Sequence, residues 1–407
     1  MTINSTQQGK VYISTTGCVE AQLSSEVVAR ILKQNNYVIT KDVSEANFVI
    51  FYACGLTEYS QEKSLRGLIN LKKKMNQDAK LTIWGCLTKQ NPEAIKEIQQ
   101  GQATAPLNII LRQNLEASDI SLNGLSVAAS AKELGDMREI SHEFAEDPLD
   151  RFTRLVLLAK MGKQKLKDKV SGRTKAYYIR VAKGCTGNCT YCSEKPVFGE
   201  ISSRPIEEVV SDFKKGLSLG YNRFSFLATD LGAYGMDINT NLGTLLNRII
   251  ETKTDIDYTL ILNQIEPHNF KTIYPTLNES LASDRIEEIM SPVQSGSNRV
   301  LKLMGRKYEI GDWRSIMFKI NTDYPKIKLN THFLVGFPTE SDEDFNETMK
   351  LLDPPPFFDG ITVFKYSSRP PVASRLIPGQ ISEAVKEARR IKLLKKFAWV
   401  YMKNLIK

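Results

Sequence analysis

Tyr177-Tyr178-Ile179-Arg180-Val181, followed by Gly184-Cys185-Thr186-Gly187-Asn188-Cys189-Thr190-Tyr191-Cys192, is the stretch on which the reading of this chain turns. The first five residues are rich in β-branched and aromatic side chains and read as a strand. The loop that leaves it holds a Cys-x3-Cys-x2-Cys cluster with no histidine nearby, so a four-ligand zinc site would be one ligand short. Three thiolates within eight residues suit a [4Fe–4S] cluster with one iron left open to an outside ligand. Downstream, strand-like runs end near Ala228, Ile265, Val293, Gly336 and Tyr366, separated by helical patterns such as Ile206 to Leu219 and Asp342 to Leu352. Six β/α units predict a partial (β/α)6 barrel, in which chemistry sits on the loops at the carboxyl ends of the strands. The cysteine loop occupies that place after the first strand.

Upstream, the same logic recurs at longer range. Val11-Tyr12-Ile13-Ser14 leads to Cys18, Phe48-Val49-Ile50-Phe51 to Cys54, and Leu81-Thr82-Ile83-Trp84 to Cys86. Helical patterns over Ser24 to Asn35 and Ser60 to Met75 lie between them, so the rhythm is that of a parallel α/β sheet. Loops leaving the carboxyl ends of such strands share one edge, and three thiols would converge there. A single cysteine in this position is more often a small buried hydrophobe. Three at one topological position favour a site.

Composition bounds the class. The 407 residues suffice for two or three cored domains, and 42% hydrophobic with 25% charged residues is ordinary globular composition rather than disorder. Neither a leader-like h-region nor an eighteen-residue apolar run is present, so a cytoplasmic protein without membrane contact is the expectation. Thiols stay reduced in that compartment, and six cysteines then ask for a role other than disulfides. Histidines are limited to His142, His268 and His332, which makes a histidine-centred acid–base mechanism unattractive.

The sequence resembles the radical S-adenosylmethionine (SAM) methylthiotransferases. The blocks that carry the resemblance are Gly17-Cys18 with Gln22 and Ser25-Glu26, Cys54 with Glu58, and Gly85-Cys86-Leu87 with Pro92-Glu93. To these are added the Cys185, Cys189, Cys192 loop, the run Pro292 to Ser297 with Leu303-Met304-Gly305-Arg306, and Gly336 to Glu340 with Asp344-Phe345. The resemblance implies two [4Fe–4S] clusters, one on Cys185, Cys189 and Cys192 and an auxiliary one on Cys18, Cys54 and Cys86. It implies radical chemistry carried by cofactors rather than by catalytic side chains, in which SAM is cleaved reductively and a second SAM supplies a methyl, so that C–H becomes C–S–CH3. An electron donor such as flavodoxin or ferredoxin is implied with it. Softer expectations place Tyr191 near the adenine, or simply in the core, and Thr229 and Asp230 at the SAM amino group. They place Gln294 and Ser295 at the ribose or carboxylate, Gly336 and Glu340 where backbone approaches the ligand, and Arg204 opposite an anionic group.

The expected organisation is an N-terminal methylthiotransferase-like domain over 1–113, a linker or lid over 114–170, a radical SAM partial barrel over 171–380 and a basic helix over 381–407. Family members that act on transfer RNA or a ribosomal protein append a small β-barrel, for which no sequence remains after Pro378-Gly379. The tail instead carries +6 of the formal +9, as a helical pattern with Ile391, Leu394, Phe397, Ala398 and Tyr401 on one side. That helix either grips nucleic acid or docks on the barrel with its lysines in water. The expectation is therefore a methylthiotransferase acting on a peptide, a protein side chain or a small molecule. Alternatives are a transfer RNA enzyme gripping its substrate through the tail, a radical enzyme that inserts sulfur without methylation, and a non-enzymatic iron–sulfur protein.

Overall fold

The computed structural model describes residues 9–16, 19–100 and 176–406, together with Val156, Ala159 and Gly162. Cys18 and the 114–155 part of the expected linker lie outside the described residues, as does nearly all of its remainder. The chain divides into two compact units, residues 1–140 and 141–407.

In the first unit, β1 (Lys10–Thr15), β2 (Val38–Thr40), β3 (Phe48–Tyr52) and β4 (Lys80–Trp84) form an all-parallel sheet in the order β2-β1-β3-β4. Helices α1 (Val19–Gln34), α2 (Glu58–Lys74), α3 (Cys86–Gln90) and α4 (Pro92–Gln100) alternate with the strands. Burial on both faces explains the apolar run of β3, and in β4 the residues from Leu81 to Trp84, Thr82 included, are all buried. Val49, Phe51, Leu81 and Ile83 pack with Leu68 and Leu71 of α2. That helix starts where the Thr57 hydroxyl accepts from the Ser60 amide at 3.1 Å, and ends on Lys72, Lys73 and Lys74, the charge its carboxyl terminus favours. Register puts Thr15 opposite Tyr52 and Tyr52 opposite Trp84, so β1, β3 and β4 end level.

The second unit is a six-stranded parallel sheet. Its strands are β5 (Tyr177–Arg180), β8 (Arg223–Leu227), β9 (Thr259–Leu262), β10 (Ile286–Met290), β11 (Lys328–Val335) and β12 (Gly360–Lys365), adjacent in chain order and all parallel. The two end strands do not pair with each other, which leaves the expected partial barrel open. A small antiparallel hairpin, β6 (Ala182–Lys183) with β7 (Ser202–Ser203), stands beside the first strand. The outer layer comprises α5 (Lys195–Phe198), α6 (Ile206–Ser218), α7 (Leu242–Ile250), α8 (Pro267–Ile273), α9 (Asn278–Ala282), α10 (Asn298–Leu303), α11 (Ile310–Asp323), α12 (Asp342–Lys350) and α13 (Glu383–Ile406). Tyr177, Ile179, Phe224, Phe226, Leu260, Leu329 and Phe333 form the buried core with Phe213, Leu245 and Trp313 of the helices. Near the amino ends of the strands, Arg223 grips Glu287 through Nε at 3.0 Å and Nη2 at 2.8 Å, and Glu287 also accepts from Thr259 and Lys328. One end of the sheet is thus tied together by charge, and the other is free for loops.

Helix α13 docks rather than projects. Its buried stripe is Lys386, Arg389, Leu393, Leu394, Phe397 and Ala398, so two of its cations lie on the inner face. Arg389 donates to Glu340 at 2.7 Å and to Asp342 at 2.8 Å, and the Lys386 stem passes so close to Gly336 that a Cβ there would stand 2.2 Å from its Cγ. Gly336, at φ +73°, satisfies both the backbone and the close approach. Arg390 pairs with Glu387 and Lys396 with Asp353, both at 2.7 Å. Among the described residues, no helix is long and apolar enough to cross a membrane.

Candidate active site

The cysteine loop hangs between the hairpin and the end of α10. Gly184 has φ +76°, and a Cβ there would lie 1.8 Å from the Glu200 carbonyl oxygen, so only glycine lets the hairpin close over the loop. The Cys185 amide donates to the Gly199 carbonyl at 3.3 Å, the Cys192 amide to the Cys189 carbonyl at 3.0 Å, and Lys195 Nζ to the Cys185 carbonyl. On the far side, Thr190 donates its amide to Met304 at 2.9 Å and its hydroxyl to Leu303 at 3.0 Å. The Ser374 amide donates to the Thr190 carbonyl at 2.9 Å. The loop is therefore held by backbone on both flanks while its three thiols stay half-buried and outside any disulfide.

The donor set fits an iron–sulfur cluster. The Gly187 amide points at Cys185 Sγ at 3.2 Å and the Lys195 amide at Cys192 Sγ at 3.3 Å, the N–H-to-sulfur bonds that stabilise charge on thiolate ligands. A Cβ on Gly187 would stand 3.4 Å from Cys185 Sγ and 3.7 Å from Cys189 Sγ, so the glycine leaves open the space the two sulfurs face. Burial, and then the Asp230 carboxylate, push the Cys185 thiol up to about 12, and burial with Glu194 pushes Cys192 up to about 11. A metal that binds Cys185 and Cys192 would therefore displace a proton from each. Among the described residues, no three Cys, His, Asp or Glu side chains converge tightly enough for a single metal ion. A four-iron core is wider than one ion, so its ligands stand further apart.

Asp230 borders this loop. Its carboxylate is 1% exposed, lies 3.9 Å from Cys185 Sγ, and accepts from the Gly232 amide at 3.0 Å, the Glu266 amide at 3.2 Å and Asn269 Nδ2 at 2.6 Å. Asn269 donates in turn to Thr186 Oγ1 at 3.0 Å. Burial, reinforced by Glu266, raises Asp230 to about 6. Thr229 precedes it, half-buried. Tyr191 is half-buried, with its hydroxyl against Arg306, whose guanidinium also donates to Glu266 at 2.7 Å.

The remaining candidates and the rim residues beside them fall into two groups. Gln294 (φ +67°) and Thr339 (φ +65°) lie beyond the carboxyl ends of β10 and β11, and Gln264 (φ +60°) beyond that of β9. Left-handed backbone at three non-glycine positions on one rim is strain of the sort that gathers at functional sites. By contrast, Arg204 donates to Asp212 at 2.8 Å and to the Arg180 carbonyl at 2.9 Å, Ser295 meets Thr348 of α12 at 3.3 Å, and Glu340 accepts from the Gly336 amide at 2.7 Å and from Arg389. Sequence reasoning missed Asn269, Thr186, Glu266 and the role of Arg306. Only the Leu303-to-Arg306 run carried a signal, as a block without an assigned part.

In the first unit, Cys54 and Cys86 are buried on one sheet edge and outside any disulfide. The Ala53 amide donates to the Trp84 carbonyl at 2.7 Å and the Leu87 amide to the Ala53 carbonyl at 3.1 Å, which locks the two cysteine-bearing turns together. Ser64 of α2 accepts from the Cys54 amide and donates to the Cys54 carbonyl, both at 2.9 Å, and meets Thr16 at 2.6 Å. The Tyr52 hydroxyl stands 3.5 Å from Cys86 Sγ.

Residues 10–105 match the Uncharacterized protein family UPF0004, and residues 179–352 match the Radical SAM superfamily. The probable threonylcarbamoyladenosine tRNA methylthiotransferase of Pyrococcus abyssi is 28% identical over 389 residues, covering 94% of this chain and 82% of that protein. The ribosomal protein uS12 methylthiotransferase RimO of Chlamydia felis is 25% identical over 391 residues, covering 95% and 78%. The radical S-adenosylmethionine methyltransferase TsrM of Kitasatospora setae superposes with a TM-score of 0.53 over 87% of this chain and 72% of that one, at 10% identity, a likeness of fold. The two matches fall in order on the two units, and relatives named as methylthiotransferases align along nearly the whole length. With a Radical SAM superfamily match in the second unit and near-full-length likeness to proteins named methylthiotransferases, the chain is similar to the radical SAM methylthiotransferases.

Proposed function

We propose that this protein replaces a hydrogen on an unactivated carbon of a peptide or protein side chain with a methylthio group, using one cluster on Cys185, Cys189 and Cys192 and a second on Cys18, Cys54 and Cys86. The observation that supports it most is the braced three-cysteine loop, its sulfurs met by backbone N–H groups, at the carboxyl end of the first strand of an open parallel sheet. When bound, the loop cluster and SAM supply a hydrogen-abstracting radical, and the second cluster with a second SAM supplies the methylthio group. The side chains position and shield. Asp230, fixed by three donors, offers an acceptor suited to the SAM ammonium beside Thr229. Tyr191 offers a ring face for the adenine, held by Arg306. Gln294 offers a polar group to the ribose or carboxylate, the Gly336 turn offers backbone, and Ser295, turned to Thr348, holds the loop between them. Arg204 and Glu340 brace those loops from behind.

The choice of a protein substrate is supported by α13, whose Lys386, Arg389, Arg390 and Lys396 are engaged within the chain rather than offered to phosphates. A transfer RNA substrate is supported by several relatives named as acting on tRNA, the Pyrococcus abyssi protein among them. Reconstituted, reduced enzyme with methyl-labelled SAM, offered ribosomal proteins and bulk transfer RNA side by side, separates the two by mass spectrometry. Label in a methylthio nucleoside and none in protein would overturn the substrate assignment.

A further inference from the structure

A groove of about 760 Å³ opens on the helical side of the second unit, between α8, α10 and the start of α11, and none of its lining residues belongs to a strand. Lys271, Arg299, Lys302 and Lys307 line it, against Glu309 and Asp312. Lys271 pairs with Asp312 at 2.8 Å and Arg299 is held by Asp344. Lys302 and Lys307 are exposed and make no ion pair among the described residues.

The turn between these two lysines is the wall that separates the groove from the cysteine loop. Leu303 and Met304 accept both hydrogen bonds from Thr190, and Arg306 reaches the Tyr191 hydroxyl. At Gly305 a Cβ would lie 3.7 Å from the Cys189 Cα and 3.0 Å from the Asn188 carbonyl oxygen, so no side chain intervenes. One turn of backbone thus joins two unpaired cations to the residues around Cys189. The reaction class under Proposed function, on which this inference rests, requires an electron delivered from outside for each SAM cleaved.

We propose that this groove docks an acidic one-electron donor protein, and that the Leu303–Arg306 turn is the electron's route to the cluster on Cys185, Cys189 and Cys192. The donor loses one electron and the oxidised cluster accepts it, with no bond or proton moving. Opposite charge around the groove steers and orients such a partner. A nucleic-acid track would need cations strung along a path, whereas the unpaired lysines here flank a single turn.

The test uses the reconstituted full-length enzyme, a flavodoxin as the acidic donor, and the K302E/K307E double variant. Both lysines are exposed, and equal iron content of variant and wild type confirms that the loop is intact. Flavodoxin affinity, read by calorimetry at low salt, and the rate at which flavodoxin hydroquinone reduces the cluster are each expected to fall roughly tenfold or more. Dithionite-driven 5'-deoxyadenosine formation is expected to stay unchanged. Unchanged flavodoxin affinity and reduction rate, or no flavodoxin binding by the wild type, would overturn the docking assignment. Weakened transfer RNA binding with flavodoxin unaffected would overturn it in favour of a nucleic-acid surface. Failure of dithionite to drive SAM cleavage in the wild type would instead overturn the radical reading beneath it.

Discussion

The two cysteine sets are built in opposite ways. The second unit gathers Cys185, Cys189 and Cys192 on one loop, where backbone amides meet the sulfurs directly and a hairpin and a helix end brace both flanks. The first unit spreads Cys18, Cys54 and Cys86 over sequence intervals of 36 and 32 residues, and Cys54 and Cys86 follow strands that end level. A local loop can be preorganised by its own backbone, whereas a distributed set depends on the sheet's register. Damage to the first should be confined to one cofactor. Damage to the second should follow the sheet.

The largest expected effect comes from Cys185→Ala, Cys189→Ala and Cys192→Ala together: 5'-deoxyadenosine formation falls to background, and about half the iron is lost. Unchanged total iron would break the two-cluster comparison. Next, Cys54→Ala with Cys86→Ala is expected to abolish methylthio product while 5'-deoxyadenosine continues to form, as chromatography of both products checks. Gly184→Ala should then lower the occupancy of the loop cluster, read from its visible absorbance, because its Cβ meets the Glu200 carbonyl at 1.8 Å, while the far-ultraviolet spectrum stays native.

Two smaller effects separate the sheet from its loops. Arg389→Ala leaves the buried Glu340 carboxylate unpaired and is expected to cost about 3–5 kcal/mol in urea unfolding, with Arg389→Lys intermediate. His332 gives the smallest effect. Burial pushes its imidazole down to about 4 from the ordinary 6.5, so between those values the unfolded chain binds a proton that the folded chain refuses. Stability contributed by the neutral ring is full above about pH 6.5 and falls as pH drops through that window, by about 1–2 kcal/mol at pH 5. His332→Gln should remove that part of the pH dependence, measured as the difference in unfolding free energy between pH 7 and pH 5.

The βα rhythm and the placement of the cysteine loop were legible because strands of four to eight residues with apolar alternation leave a periodic trace. Val38–Thr40 and the Ala182–Lys183 hairpin were not, since two or three residues carry no period and form only because a neighbour is present. On α13, a hydropathy reading assigns Lys386 and Arg389 to water, and it cannot see Glu340 more than forty residues away. The Asp230–Asn269–Thr186 chain was invisible for the same reason, its members being joined by tertiary structure alone. The cysteines themselves stood out early, because reduced thiols at repeated topological positions have few ordinary explanations.

The most direct measurement is mass spectrometry of candidate protein substrates after turnover by the doubly reconstituted, reduced enzyme with methyl-labelled SAM, with 5'-deoxyadenosine and S-adenosylhomocysteine quantified in the same reaction. The expected product has gained one sulfur and the labelled methyl, with both nucleosides formed alongside it. A product carrying sulfur without the methyl, or 5'-deoxyadenosine with no S-adenosylhomocysteine, would contradict it.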